Sequence, residues 1–258
     1  MSPRDWDAGT YARISDPQFE WALEVLDRLP LTGGETVLDA GCGSGRVTKE
    51  LQERLPDGHV FAVDGSPSMV EKARETLDPD RTTAWVSDLV ELEVPEPVDA
   101  VLSTATFHWI PDHEALFARL YDALKPGGQL VVQCGGAGNI DGFHGRLGGA
   151  ADLPEYAPYF EGMDTPWNFA TPAQTAQRLG AAGFTGVECW LEDKPVTPPE
   201  PREFLRVVCL GHHLERLPDE LKDPFVDLVC ERAGSPLVLD YVRLNIDARK
   251  PEKAPTDA

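Results

Sequence analysis

Three glycines at alternate positions, Gly41, Gly43 and Gly45, follow an apolar run that closes on an acid, Val37-Leu38-Asp39-Ala40. Glycine here lets the backbone turn sharply and approach a ligand where a Cβ would collide, and a helix beginning at Arg46 would aim its free N–H groups at that ligand. This is the chemistry of a nucleotide-type cofactor site. The dinucleotide fingerprint needs glycine at position 46 for close packing of helix on strand, and Arg46 stands there instead. Two further acids complete the pattern. Asp64 closes a second apolar run nineteen residues past Gly45, where a carboxylate can take both hydroxyls of a ribose. Asp88 closes a third, where it can accept from an adenine amino group while Leu89 offers its backbone. No single acid identifies a ligand, but three at successive strand ends behind a GxGxG loop point to an adenosine-containing molecule.

A fourth apolar run leads into Thr104-Ala105-Thr106-Phe107-His108-Trp109. His108 is the candidate catalytic residue, either as a base, since a free imidazole titrates near ~6.5, or as an orienting and stacking residue. Residues 136–170 are rich in glycine, proline and aromatics, among them Tyr156 and Trp167, and His144 lies in the same stretch. Segments of this kind and length serve as lids or substrate walls. Arg146, Arg178, Arg202 and Arg206 are candidates to clamp a carboxylate. His144, His212 and His213 can reach an acceptor or stand as surface histidines. No His, Cys, Asp and Glu combination has metal-ligand spacing, and no nucleophile motif such as GxSxG occurs.

The string VLDAGCGSG with Asp64 and Asp88 resembles the class I S-adenosyl-L-methionine (SAM) dependent methyltransferases across residues 36–134. Three further segments are similar to the trans-aconitate methyltransferase group of that family: Phe107-His108-Trp109-Ile110-Pro111-Asp112-His113, Leu124-Lys125-Pro126-Gly127-Gly128, and the stretch from Trp6 to Tyr11. The resemblance implies an α/β, Rossmann-like fold, with a mostly parallel seven-stranded sheet, helices on both faces and a helical substrate cover. It implies SAM as cofactor and S-adenosyl-L-homocysteine as product. The candidate cofactor contacts are Tyr11, Asp39, Gly41, Cys42, Gly43, Gly45, Asp64, Gly65, Met69, Asp88, Leu89, Thr104, His108 and Trp109. Trp6, His144, Tyr156 and Trp167 are the candidate substrate cover, the N-terminal segment closing over SAM in that family. Relatives often carry Asn where Thr104 stands, and some carry Gln in place of His108, so the acceptor is left open.

SAM is an activated sulfonium, so transfer is an in-line displacement accelerated by alignment. A carboxylate acceptor is already ionised and needs no base. The expected reaction is O-methylation of a carboxylate or hydroxyl on a small molecule. Carbon or nitrogen methylation, aminopropyl transfer, and a non-catalytic SAM-binding module are the alternatives.

The elements that must position these residues are legible from punctuation and periodicity. Asp16-Pro17 opens an amphipathic helix that Pro30 ends; strands are expected at 36–40, 59–64, 82–86, 98–103, 129–134, 186–191 and 237–248. Ser66-Pro67, Asp112 and Thr171-Pro172 open helices between them. Strands alternating with helices require crossover connections and a parallel sheet. One domain is expected over 1–258: lid and helix at 1–30, cofactor core at 35–135, cover insertions at 136–170 and 195–235, and a flexible tail at 250–258.

The net charge of −21, from 44 acidic and 23 basic residues, repels phosphate backbones and anionic bilayers. Neither nucleic acid nor membrane is an expected partner, and the fourth run lacks the [DN]PP[YFW] pattern that grips a flipped base. Five scattered cysteines give no disulfide framework. With no apolar signal core or run of ~20 residues, a cytoplasmic monomer or homodimer is expected.

Overall fold

The computed structural model describes residues 16–163 and 167–252. In chain order the elements are α1 (Asp16–Asp27), β1 (Thr36–Ala40), α2 (Arg46–Glu53), β2 (His59–Asp64), α3 (Pro67–Thr76), β3 (Thr82–Val86), β4 (Val98–Thr104), α4 (His113–Ala123), β5 (Leu124–Gly135), α5 (Asp141–Ala151), α6 (Ala157–Phe160), α7 (Pro172–Ala181), β6 (Thr185–Asp193), α8 (Pro201–Phe204), α9 (Gly211–Leu214), α10 (Asp219–Ala233) and β7 (Val242–Arg249). Local chemistry sets the helix starts. The Ser66 side chain accepts from Met69 N–H ahead of Pro67, Asp112 accepts from Ala115 N–H, and Thr171 and Gln174 form a reciprocal capping box. Proline in the first turn gives up no intrahelical bond.

The seven strands form one sheet in the order β3-β2-β1-β4-β5-β7-β6. The first five run parallel, and β7 enters between β5 and β6 antiparallel to both. Alternation along each strand divides the core between two faces. Leu38, Phe61, Val63, Val101, Leu130 and Val132 pack with Leu116, Leu120 and Leu179 of α4 and α7. Val37, Val60, Ala100, Leu102 and Val131 pack with Val25 and Leu26 of α1, Leu51 of α2 and Leu55 just beyond it. A buried leucine of this kind contributes about 1.5–3 kcal/mol, so both layers hold the sheet. Arg28 fastens α1: its guanidinium donates to Asp247, Asn245 and the Val132 carbonyl.

After β5 the chain builds a separate apolar cluster from its helices. Phe143, Leu147 and Ala150 of α5 pack with Phe204, Leu205, Leu210, Phe225 and Val229, and Trp21 of α1 joins them. Three expected boundaries move. β5 begins at Leu124, not 129, because Leu124 already pairs with Val98 before the Gly127 turn. The last strand begins at Val242, not 237: Leu237 and Leu239 alternate like a strand but are buried in the helical cluster, and Leu239 makes one bridge with Val196. Lys250, read as tail, donates through Nζ to the Tyr121 and Leu124 carbonyls at the end of α4, as basic groups do at helix C-termini.

Candidate functional site

In a parallel sheet the strands β1, β2, β4 and β5 all end at one edge, and the loops beyond it carry the candidate residues. The N–H groups of Gly41 and Cys42 both donate to the Val63 carbonyl, at 2.8 and 2.9 Å. Gly41 has φ +93, and a Cβ there would lie 2.1 Å from Thr106 Oγ1 and 2.6 Å from Thr106 Cβ. No side chain fits between the loop and the segment after β4. Gly43 is different: at φ +52 its Cβ would meet nothing within 4 Å. This face of the loop opens onto space that a ligand can fill. The Gly43 N–H donates to Asp64 Oδ2 at 2.9 Å, and Ser66 N–H donates to Oδ1 at 2.9 Å. The Gly65 N–H also bonds this carboxylate, which has about four lone-pair sites and so keeps room to accept from a ribose hydroxyl. The cradle and the acid thus fit the adenosyl part of SAM.

Burial raises the Asp64 carboxyl above the usual range, against the pull of the backbone bonds from Ser66 and Gly43. Asp39 is deeper, 1% exposed, and its carboxylate accepts from Thr48 Oγ1 at 2.7 Å. Burial pushes it up to about 7, with the Asp64 charge adding to the shift. Cys42 is buried and its thiol is held well above its ordinary value by burial and then by Asp39 and Asp64. A thiol so disfavoured as thiolate is no nucleophile. Gly65 sits in the turn behind Asp64, and Met69 is buried on α3. Asp88 is exposed and caps a short 3-10 turn through Val90 N–H at 3.1 Å, while the Leu89 side chain enters the core.

Thr104 ends β4. Ala105 has φ +56, rare for a residue with a Cβ, and its N–H donates to the Gln133 carbonyl at 2.8 Å. Next comes the 3-10 turn Phe107–Trp109, pinned from below. His113 Nε2 donates to the Phe107 carbonyl at 2.9 Å, and Arg178 Nη1 donates to His113 Nδ1 at 3.2 Å. From above, Asn168 N–H donates to the His108 carbonyl and its side-chain amide to that of Pro111.

His108 is buried, and its Nδ1 accepts from Gly135 N–H at 3.2 Å. The neutral ring therefore carries its proton on Nε2. Burial drives its pKa well below the ordinary value, with Arg243 and His113 adding. Phe169 stacks on it at 5.9 Å, and His144 stacks on Trp167 at 4.8 Å and on Phe169 at 6.1 Å. Trp109 meets Trp167 at 5.9 Å. His108, Trp109, His144 and Trp167 are thus brought together. Tyr156 is not: it is 3% exposed and packs on Phe225 at 4.9 Å within the helical cluster. His213, read as an acceptor contact or a surface histidine, is buried between Phe160 and Phe225. Trp6 and Tyr11 lie outside the described residues.

Several site residues were not singled out from sequence. Thr48 supports Asp39 and Asn168 straps the aromatic segment over His108. Arg243, 3% exposed on β7, lies with its guanidinium against Trp21; its signal was a charge inside the apolar run Tyr241-Val242-Arg243-Leu244. Of the arginines read as clamps, Arg178 serves His113, and Arg202 and Arg206 pair with Asp223 and Asp227; the Arg146 side chain lies outside the described set. Among the described residues no group of three His, Cys, Asp or Glu could hold a metal, and no helix is long and apolar enough to cross a membrane.

Residues 37–128 match the family model described as a methyltransferase domain. The chain is 36% identical over 188 residues to trans-aconitate 2-methyltransferase of Methylobacterium nodulans, covering 72% of this chain and 67% of that one. It is also 36% identical over 129 residues to the enzyme of that name from Methylobacterium radiotolerans, covering 50% of this chain and 49% of the relative. The match thus spans about half the length of several such relatives. Among solved structures, a mycolic acid cyclopropane synthase complexed with SAH and CTAB superposes with a TM-score of 0.62 at 16% identity, covering 97% of this chain and 99% of that one. At that identity the likeness speaks to the fold alone.

Proposed function

Because the chain belongs to the class I SAM-dependent methyltransferase family, close to the trans-aconitate 2-methyltransferase group, we propose that it transfers the methyl group of SAM to a carboxylate oxygen of a small molecule. SAM, the cofactor of this family, supplies an activated methyl sulfonium. The observation that carries the choice of acceptor is the state of His108. Buried and held neutral, with Nδ1 committed to Gly135 N–H, it is poorly suited to accept a proton. A carboxylate acceptor asks for none.

The protein's part is then to hold and align. Gly43 and Asp64 take the adenosyl end, the acid through its free lone pairs. Asp39 sets a buried carboxyl behind the loop. His108 can donate from Nε2 to an acceptor oxygen, and Phe169, Trp167 and His144 exclude water from the transfer path. Alignment of this kind is worth several kcal/mol of the barrier. The trans-aconitate named for the relatives supports an acid as acceptor. The stacked rings, with the helical cluster behind them, form the acceptor side in this reading.

The test is incubation with methyl-deuterated SAM and a panel of carboxylic acids, followed by mild alkali. A methyl ester releases its label as methanol. Label that stays on the product after alkali marks an ether, amine or carbon acceptor and overturns the carboxylate assignment.

A further inference from the structure

The His113 ring is 3% exposed, and both of its nitrogens are used. Arg178 can only donate, so Nδ1 of His113 accepts from it at 3.2 Å, and the ring proton lies on Nε2, which donates to the Phe107 carbonyl at 2.9 Å. The two partners fix one tautomer between them. Burial lowers this imidazole, against the pull of the Phe107 bond and with the Arg178 charge adding. The ring is therefore neutral at pH 7 and both bonds stand there. Phe117 packs against it at 5.5 Å and meets Phe107 at 6.0 Å.

Arg178 is an unusual partner for an imidazole. A cavity of about 320 Å³ lined by Pro111, Asp112, His113, Glu114 and Arg178 opens at this end of α4. A guanidinium that shares a cavity wall with two carboxylates has charged partners at hand. Yet Arg178 makes no ion pair with Asp112 or Glu114, and His113 is the only hydrogen-bond partner of its guanidinium among the described residues.

What this chain of bonds grips is the turn that carries His108. The Phe107 carbonyl also accepts from Ile110 N–H at 3.0 Å, which closes the turn, so both of its lone pairs are engaged. Ala105, ahead of the turn, has φ +56, and such backbone persists only where its surroundings hold it. His108 Nδ1 accepts from Gly135 N–H at 3.2 Å, and Nε2 meets no hydrogen-bond partner among the described residues.

Resting on the methyltransferase reading above, we propose that Arg178 and His113 are positioning residues for His108. The bonds from the guanidinium through the imidazole to the Phe107 carbonyl set the turn, so that His108 Nδ1 stays on Gly135 N–H and Nε2 is left to donate to the acceptor oxygen. Both residues act through the turn and not by contact with the reacting atoms. Arg178 matters because it holds the His113 proton on Nε2. In the other tautomer a bare nitrogen would face the carbonyl, two acceptors would oppose each other, and the turn would lose its support.

The test is hydrogen exchange of single amides, read by NMR on the full chain saturated with S-adenosylhomocysteine. The Gly135 amide reports the His108 bond directly, and the Val131 and Val132 amides of the same strand report the sheet. Arg178→Met and His113→Leu should each speed exchange at Gly135 at least about fivefold, the worth of one hydrogen bond, with Val131 and Val132 at parent rates. His113→Gln should recover part of the loss, since its amide can donate to the carbonyl and accept from Arg178. With the acceptor found in the labelled-SAM panel, Arg178→Met should lower kcat at least about fivefold and leave KM for SAM at the parent value. Should His113→Leu not fold, Arg178→Met, whose side chain is only half-buried, decides. A Gly135 amide that exchanges freely in the parent, or at the parent rate in Arg178→Met, overturns the proposal. So does an equal rise at Val131, Val132 and Gly135, which a merely stabilising role would give, or a parent-like kcat in Arg178→Met. A panel that yields no acceptor counts against the carboxylate reading, and the Gly135 rates still decide the positioning. Failure of S-adenosylhomocysteine to bind the parent overturns the methyltransferase reading and this proposal with it.

Discussion

The backbone N–H of Gly43 donates to Oδ2 of Asp64 at 2.9 Å, so the glycine loop after β1 and the acid that closes β2 form one unit. The acid fixes the loop with one lone pair and keeps another for a ligand hydroxyl. Asp64→Ala should therefore lose both functions. Charge-assisted hydrogen bonds contribute about 1.5–3 kcal/mol each, so SAM affinity should fall roughly ten- to a hundredfold, read by calorimetry. Parent-like affinity would refute the assignment.

Gly41 and Gly43 should separate stability from binding. Gly41→Ala places a Cβ 2.6 Å from Thr106 Cβ, a clash that side-chain rotation does not relieve. Its melting temperature should drop by at least about 4 °C. Gly43→Ala meets nothing within 4 Å and carries only the left-handed backbone cost of about 1–2 kcal/mol. It should melt closer to the parent yet bind SAM at least about tenfold more weakly, because the methyl enters the ligand's space. Equal melting losses with equal affinities would contradict this division.

Asp39 makes a prediction in pH. Its carboxyl is pushed up to about 7 in the fold, above the ~3.9 of an unfolded aspartate. The folded chain holds the extra proton between those values, so the stability linked to it is whole below about pH 4 and is lost as pH rises through 7. Asp39→Asn stays neutral throughout. Its melting temperature relative to the parent should therefore rise between about pH 5 and 8; a constant difference would show that the parent carboxyl titrates normally.

His108 predicts a flat profile. Because burial holds the imidazole neutral well below its ordinary value, kcat for a carboxylate acceptor should show no inflection near ~6.5. A rise through that value that disappears in His108→Gln would assign it as a base.

The glycine loop and the acids beside it were legible because they are marked along the chain. The glycine spacing from Gly41 to Gly45 and the caps at Ser66, Asp112 and Thr171 act within a few residues, and Asp39 and Asp64 each stand at or near the close of an apolar run, so reading along the chain recovers them. The acceptor half depends on contacts between distant segments. Arg243 is buried because β7 inserts between β5 and β6 and sets it beside Gly135. His213 is buried by Phe160 and Phe225 from two other helices, which nothing near His213 announces. Tyr156 and Trp167 sit in the same aromatic-rich stretch, yet one packs inside the helical cluster and the other stacks on His144; composition alone does not separate the two.

In the proposed function the loop of Gly41, Gly43 and Gly45, with Asp64, holds SAM. Calorimetric titration of the purified chain with SAM, S-adenosylhomocysteine and NAD decides this assignment. Micromolar binding of both SAM and S-adenosylhomocysteine with no heat from NAD is the predicted result. Heat from NAD and none from either sulfur ligand would contradict it.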